Sequence, residues 1–325
     1  MQESASSKQS IIAIVVAVIA VIAVIALVAV LTITATRAGS VGAHDSANAK
    51  GDLTSKVSLV SAQPGKEPKI KIDAPVSVSS SIAYRRVKEG TGAQLKKGQR
   101  MCLNIAVYDA KTGKKESSTW QKNTPDCSAT HGSDQEPMRT MLDKARVGTI
   151  WILSTPAEQG NSTTSANAQG ASIWVMQLAR TITDLKRATG TKVTNIPSNL
   201  PKVTLAANGK PSINMNGYKG SSTLVSQDLI RGKGAKVTAN QTVKAHYTGW
   251  LLNGKQFDSS WTGRGAAEFS LNNVIKGWKQ GLTGKRVGSR VLLVVPPSLG
   301  YGKQKQGSIP ANSTLVFVVD ILAAY

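Results

Sequence analysis

Apolar positions fall into three kinds of run along this chain. From Ile11 to Leu31 there are 21 residues of only Ile, Val, Ala and Leu. About 20 apolar residues span a bilayer core, so the run predicts a transmembrane helix within residues 1–36. It is longer than the ~7–15-residue core of a cleaved signal, and Ala35-Thr36-Arg37-Ala38 is a poor cleavage site, which favours a retained anchor. Its short leading side places the bulk of the chain outside the cytoplasm, at the cell membrane, with a secreted form if the N-terminus is removed.

The second kind is short and reads as strand. Val243-Lys-Ala-His-Tyr247 alternates, so Val243, Ala245 and Tyr247 share one face and His246 points to the other. Val291–Val295 and Leu315–Leu322 are apolar throughout or nearly so, as strands buried on both faces are. Asn253-Gly254 marks a hairpin turn. The third kind is helical. Trp278 and Leu282 are four apart and share a helix face. Asn272 or Asn273 is placed to cap that helix, and Gly281 and Gly284 to end it. A sheet wrapped over one short helix, with an indole at the helix start, makes a pocket with an aromatic floor.

Three landmarks recur in order at an offset of about 140 residues. Gly65-Lys-Glu-Pro-Lys-Ile, Glu89-Gly-Thr-Gly92 and the run from Arg146-Val-Gly148 through Pro156 find counterparts in Gly209-Lys-Pro-Ser-Ile, Arg231-Gly-Lys-Gly234 and the run from Arg286-Val-Gly288 through Pro296. The chain therefore divides into an anchor (1–36), a flexible tether (37–68), one copy of a fold (69–184), a join (185–201) and a second copy (202–325). The fold class is α+β: two tandem antiparallel sheets, each curled around a short helix, behind the N-terminal helix.

Charge and chemistry narrow the function. The net charge is +22, from 40 Lys+Arg against 18 Asp+Glu. Such a balance attracts polyanionic surfaces, but only 5% of residues are aromatic and no nucleic-acid-binding signature is present, so no specific nucleic acid is expected. The two cysteines, Cys102 and Cys127, match no metal spacing. An extracytoplasmic setting would let them oxidise, and the sequence leaves open whether they pair. His44, His131 and His246 lie far apart, so no metal site is expected.

Seven motifs then appear in order: Tyr247-Thr-Gly249, Gly254-Lys-Gln-Phe-Asp-Ser-Ser260, Val274-Ile-Lys-Gly-Trp278, Gly284-Lys-Arg-Val-Gly288, Pro296-Pro-Ser-Leu-Gly-Tyr-Gly302, Ile309-Pro310 and Leu315-Val-Phe317. Together they resemble the FKBP-type peptidyl-prolyl cis-trans isomerases over residues 202–325, and an ordered set is far more specific than any one member. The resemblance implies a proline-binding pocket with Trp278 as floor and Tyr247, Phe257, Phe269 and Phe317 as walls. It implies a rim at Val274 and Ile275, whose Ile275 N–H would bond a ligand carbonyl. Tyr301 would bring a hydroxyl from the flap and Ile309 its apolar tip. Asp258 would face the twisting carbonyl or hold the pocket together through Arg264; both roles stay open. No cofactor is implied. The implied partners are proline-containing polypeptides, with macrolide inhibitors as competitors. The chain departs from the family at Ala267, where a pocket phenylalanine is frequent, and in the cationic flap bearing Lys303 and Lys305.

The first copy resembles the family weakly. Ile105 stands for Tyr247, Glu116-Ser117 for Phe257-Asp258, Met138 for Trp278, and a Ser/Asn/Thr/Gly segment from Gln159 to Gly170 for the flap. It is expected to keep the fold without the site. Two functions follow: an isomerase that helps extracytoplasmic proteins fold, or a chaperone-like or scaffold module that binds proline-containing segments without turnover.

Overall fold

The computed structural model describes residues 51–122, 124–132, 136–157, 170–263 and 265–325. The apolar run 11–31 lies outside them. The expectation of an α+β chain headed by a membrane helix is corrected: strands dominate, and among the described residues no helix is long and apolar enough to cross a membrane. The α-helices described have four, five and seven residues. Helices this short are marginal alone and exist because packing holds them. The chain forms two compact units, which part between Thr183 and Asp184.

The first unit starts earlier than the composition suggests. Asp52–Ser55 is a helical turn, α1, and Val57–Ser61 (β1) pairs with Lys69–Ile72 (β2) as an antiparallel hairpin. Small polar residues read as a tether, yet Leu53 and Val57 are buried against Ala106, Ile150 and Val175. These two buried side chains contribute about 1.5–3 kcal/mol each, beside the β1–β2 backbone pairing that also orders the segment. The main sheet is antiparallel, built from β3 (Ala83–Lys88), β4 (Arg100–Asp109), β5 (Lys115–Ser118), β6 (Ile150–Thr155) and β7 (Ser172–Ile182) in the order β3-β6-β7-β4-β5. Helix α2 (Met138–Leu142) buries Met141 and Leu142 in its core. A disulfide joins Cys102 on β4 to Cys127, with Cα atoms 4.0 Å apart. The neighbouring backbone runs alongside β4, exchanging hydrogen bonds between Leu103 and Asp126 at 2.7 and 2.8 Å.

In the second unit the elements are β8 (Thr191–Lys192), β9 (Lys202–Leu205), β10 (Pro211–Asn214), β11 (Val225–Arg231), β12 (Thr242–Leu251), β13 (Gln256–Ser259), β14 (Ala267–Ser270), α3 (Lys276–Leu282), β15 (Arg290–Val295) and β16 (Leu315–Ala324). The sheet order is β13-β12-β16-β15-β11-β8, with β14 also on β12. Reversed and without β8, it is the first unit's order: β11, β15, β16, β12 and β13 take the places of β3, β6, β7, β4 and β5. The small hydrogen bonds repeat too. Gly90 N–H donates to Thr149 Oγ1 at 3.0 Å and Gly232 N–H to Ser289 Oγ at 2.9 Å.

The continuous apolar strands follow from two covered faces. Val291, Leu293 and Val295 face α3 together with Phe317, Val319 and Ile321. Leu292 and Val294 face the other way, with Val316, Val318 and Trp250, under Leu200, Val203 and Ile213 from the join and the β9–β10 hairpin. The segment expected as a plain join thus packs onto the sheet. Asp320, on β16, accepts from Arg290 at 2.5 and 2.7 Å and from the Ala188 N–H at 3.1 Å. The charges are almost fully buried, so each requires the other.

Helix α3 differs from expectation at both ends. Its N-cap is Ile275, with no side-chain cap; Asn272 Oδ1 instead accepts from Lys279 Nζ at 2.7 Å. Gly281 lies within the helix. A Cβ at Gly277 would meet Val295 Cγ1 at 2.4 Å, and one at Gly281 would meet Leu293 Cδ2 at 2.6 Å. These glycines exist so that the helix can sit directly on β15. Gly284, at φ +84°, follows the C-cap Thr283 and turns the chain away, as anticipated.

Candidate active site

The close seating of α3 positions the indole. Trp278 is buried at 4% exposure, with three rings around it at steep angles. Tyr247 from β12 stands 5.5 Å away at 84°, Phe317 from β16 at 5.4 Å and 87°, and Phe269 from β14 at 4.9 Å and 63°. Phe257 from β13 meets Phe317 edge to face at 5.6 Å. Edge-to-face pairs at these distances are individually favourable. Five strand and helix residues that are remote in sequence therefore form one ring cluster. Tyr247, Phe257, Phe269, Val274 and Ile275 are its partly buried members. They mark where the core of the second unit reaches its surface.

One strand position makes room for the rings. A Cβ on Gly249 would lie 2.6 Å from Phe257 Cζ and 2.9 Å from Phe317 Cε1. Gly249 pairs in register with Phe317 on one side and Asp258 on the other. In the first unit the same ladder position is Val107, paired with Trp174 and Ser117. The motif Tyr247-Thr-Gly249 contained this signal, but only the ladder shows what the glycine clears.

Asp258 faces inward. Its carboxylate accepts a short hydrogen bond from the Tyr247 hydroxyl and a second from the Ser259 N–H at 2.8 Å. Sequence reasoning offered Arg264 as the residue that holds it; Arg264 lies outside the described residues, and the Tyr247 contact was not anticipated. Tyr301 approaches from the loop after β15. Burial pushes its hydroxyl above the usual phenol pKa, and the negative charge of Asp258 adds to the effect. The flap residue and the inward carboxylate therefore sense each other.

Ile275 is the helix N-cap, and among the described residues nothing accepts from its N–H. Ile309, expected as the apolar tip of the flap, is buried at 5% exposure in the same core cluster as Trp278 and Phe317. Gln306 and Ile309 exchange backbone hydrogen bonds at 2.9 Å, a tight turn that tucks the side chain under. A depression of about 520 Å³ lies beside the rings, between residues 274–276 and the loop 297–304, with Tyr301 on its edge.

In the first unit the ladder gives the same positions different residues. Ile105 takes the place of Tyr247, Glu116 of Phe257 and Ser117 of Asp258. Ala129, whose carbonyl accepts from Met101 N–H, takes that of Phe269. Met138 opens α2 where Trp278 sits in α3. Of the five rings one remains, Trp174, whose Nε1 donates to Thr155 Oγ1 at 3.0 Å. Of the replaced flap, residues 158–169 lie outside the description.

One unit thus carries, over a short helix, the ring cluster, the inward carboxylate of Asp258 and the N–H of Ile275, free among the described residues. Residues 233–322 match the model of the FKBP-type peptidyl-prolyl cis-trans isomerases. The chain is 51% identical over 92 residues to a "Probable FKBP-type peptidyl-prolyl cis-trans isomerase" of Haemophilus influenzae, covering 28% of this chain and 38% of that protein. It is 46% identical over 107 residues to the FKBP-type peptidyl-prolyl cis-trans isomerase FkpA of Escherichia coli, covering 33% and 40%. Over 106 residues it is 39% identical to an FK506-binding protein of Neisseria meningitidis, covering 32% of this chain and 97% of that one. The chain belongs to the FKBP family. It spans about two fifths of the length of the first two of these relatives.

Proposed function

We propose that the second unit catalyses cis-trans isomerisation of peptidyl-prolyl bonds and so assists the folding of proteins outside the cytoplasm. The observation that carries this is the ring cluster of Trp278, Tyr247, Phe257, Phe269 and Phe317 with Asp258 turned into it.

The chemistry is physical. The X–Pro amide is planar by resonance, with a rotation barrier of about 18–20 kcal/mol, and exchanges uncatalysed in tens to hundreds of seconds. Water stabilises the charge-separated planar form. A ring-lined site strips that water and favours the twisted amide, in which resonance is lost. Each ~1.4 kcal/mol gained in the twisted state is a tenfold rate. Proline would rest on the indole of Trp278 beside the Phe257 and Phe317 rings. The Ile275 N–H and the Tyr301 hydroxyl would orient the chain. Asp258, held by Tyr247, would present negative charge to the carbonyl carbon as the carbonyl turns out of plane. Macrolide ligands of the kind named in relatives would compete for the same rings.

An extracytoplasmic location at the cell membrane is part of this proposal. The Cys102–Cys127 disulfide supports an oxidising compartment, and the apolar run 11–31 supports the membrane. Fractionation with sequencing of the mature N-terminus tests both; recovery in the cytosol with reduced cysteines contradicts them. A protease-coupled assay on the full chain, against Phe257→Ala and Asp258→Ala, tests the chemistry. Loss of turnover in folded variants is the expected result. Proline-peptide binding by the parent without any turnover would leave the chaperone-like reading in its place.

A further inference from the structure

We infer that the second unit selects proline segments that carry acidic side chains next to the proline, through Lys276 and Lys303. This rests on the isomerase reading and adds its substrate class.

The depression at the mouth is bounded by the two groups proposed to orient the peptide, Ile275 and Tyr301, and by these two lysines, one on each wall. Both lysines are exposed, and among the described residues neither makes an ion pair. Lys279, nearby, is engaged by Asn272. The unit as a whole reinforces the pair. Residues 184–325 hold 19 Lys+Arg against 5 Asp+Glu. The acids are spent internally: Asp184 binds Lys244 at 2.8 Å, Asp228 binds Lys285 at 3.0 Å, and Asp320 binds Arg290. Asp258 is taken by Tyr247 and the Ser259 amide, and Glu268 also has a partner. Asp258 keeps its charge but points among the rings toward Tyr247, and no acid lines the depression itself, so the two lysines set the charge of its outer walls. A peptide seated by Ile275 and Tyr301 thus passes between two cations in a positive field. A carboxylate on a flanking residue meets that field favourably, and a lysine there meets repulsion.

The test is exchange spectroscopy of Ala-Xaa-Pro-Phe-Xaa peptides with the full chain, where Xaa is Glu, Leu or Lys. Two rim pairs of the exposed kind act weakly, so kcat/KM at low salt should fall roughly three- to tenfold from Glu to Lys, with Leu between, chiefly through KM. The spread should close near 1 M salt, where the screening length is about 3 Å. The double variant K276E/K303E should reverse the order. Equal turnover of the three peptides overturns the inference and leaves the isomerase intact. A Glu preference that survives the double variant overturns it too, assigning selection to other basic residues. No turnover of any peptide removes the isomerase reading and this one with it.

Discussion

Replacing Gly249 by valine copies into the second unit what Val107 does in the first. The new Cβ alone would sit 2.6 and 2.7 Å from Phe257 and 2.9 Å from Phe317, distances that real Cβ atoms do not tolerate. Phe257 can swing outward, being partly buried, whereas Phe317 is buried at 5% exposure on a central strand. Overpacking of this kind costs about 1–3 kcal/mol. Swinging Phe257 away relieves part of the clash and removes the wall on which proline would rest. If the twisted amide loses about 1.4–2.8 kcal/mol of that support, kcat/KM falls ten- to a hundredfold. Exchange spectroscopy on the full chain measures the rate and urea unfolding measures the stability. Unfolding at a slightly lower midpoint with turnover nearly abolished is the expected pair of results. A folded Gly249→Val protein with parental kcat/KM would mean that the chemistry does not pass between Phe257 and Phe317. Trp278→Ala is a poorer probe, because loss of so buried an indole costs about 3–5 kcal/mol of stability by itself.

Other consequences are separable from that one. Asp320→Asn should lower the stability of the second unit by about 3–5 kcal/mol, since it strands the Arg290 charge in the core, while a matched apolar replacement of both partners should recover most of it; urea unfolding distinguishes the two. Reduction of Cys102–Cys127, which are 25 residues apart, should destabilise the first unit by up to about 3–4 kcal/mol on a chain-entropy estimate and leave proline turnover unchanged, as thermal scans and rate assays with and without reductant would show. Burial holds the His246 pKa below its ordinary value, with the Lys244 charge adding to this and the Asp320 charge opposing it. The unfolded chain therefore binds the extra proton first, so stability should fall as pH drops below about 6.5, and His246→Gln should flatten that slope in denaturation at several pH values.

Most of the second unit was readable from the chain because its signals are local. Alternation from Val243 to Tyr247, the Asn253-Gly254 turn and the apolar strands at 291–295 and 315–322 each state their own geometry. The ordered motifs named the ring residues, and the structure brings Tyr247, Phe257, Phe269, Trp278 and Phe317 together. What the chain did not disclose depends on contacts between distant residues. Gly281 resembles a helix stop until Leu293 is seen against it. Residues 52–61 resemble a tether until Leu53 and Val57 are seen to have a core to enter. The hold of Tyr247 on Asp258 needs two strands in register, and the tucked Ile309 needs the turn from Gln306. Sequence could name those residues but not face them toward one another.

The most direct measurement is an intermolecular NOE experiment during turnover of a Leu-Pro peptide by the full chain. Contacts from the proline ring to the indole protons of Trp278 and to the Phe257 and Phe317 rings are predicted. Proline contacts confined to the depression at residues 297–304, or to the first unit, would contradict catalysis on the ring cluster.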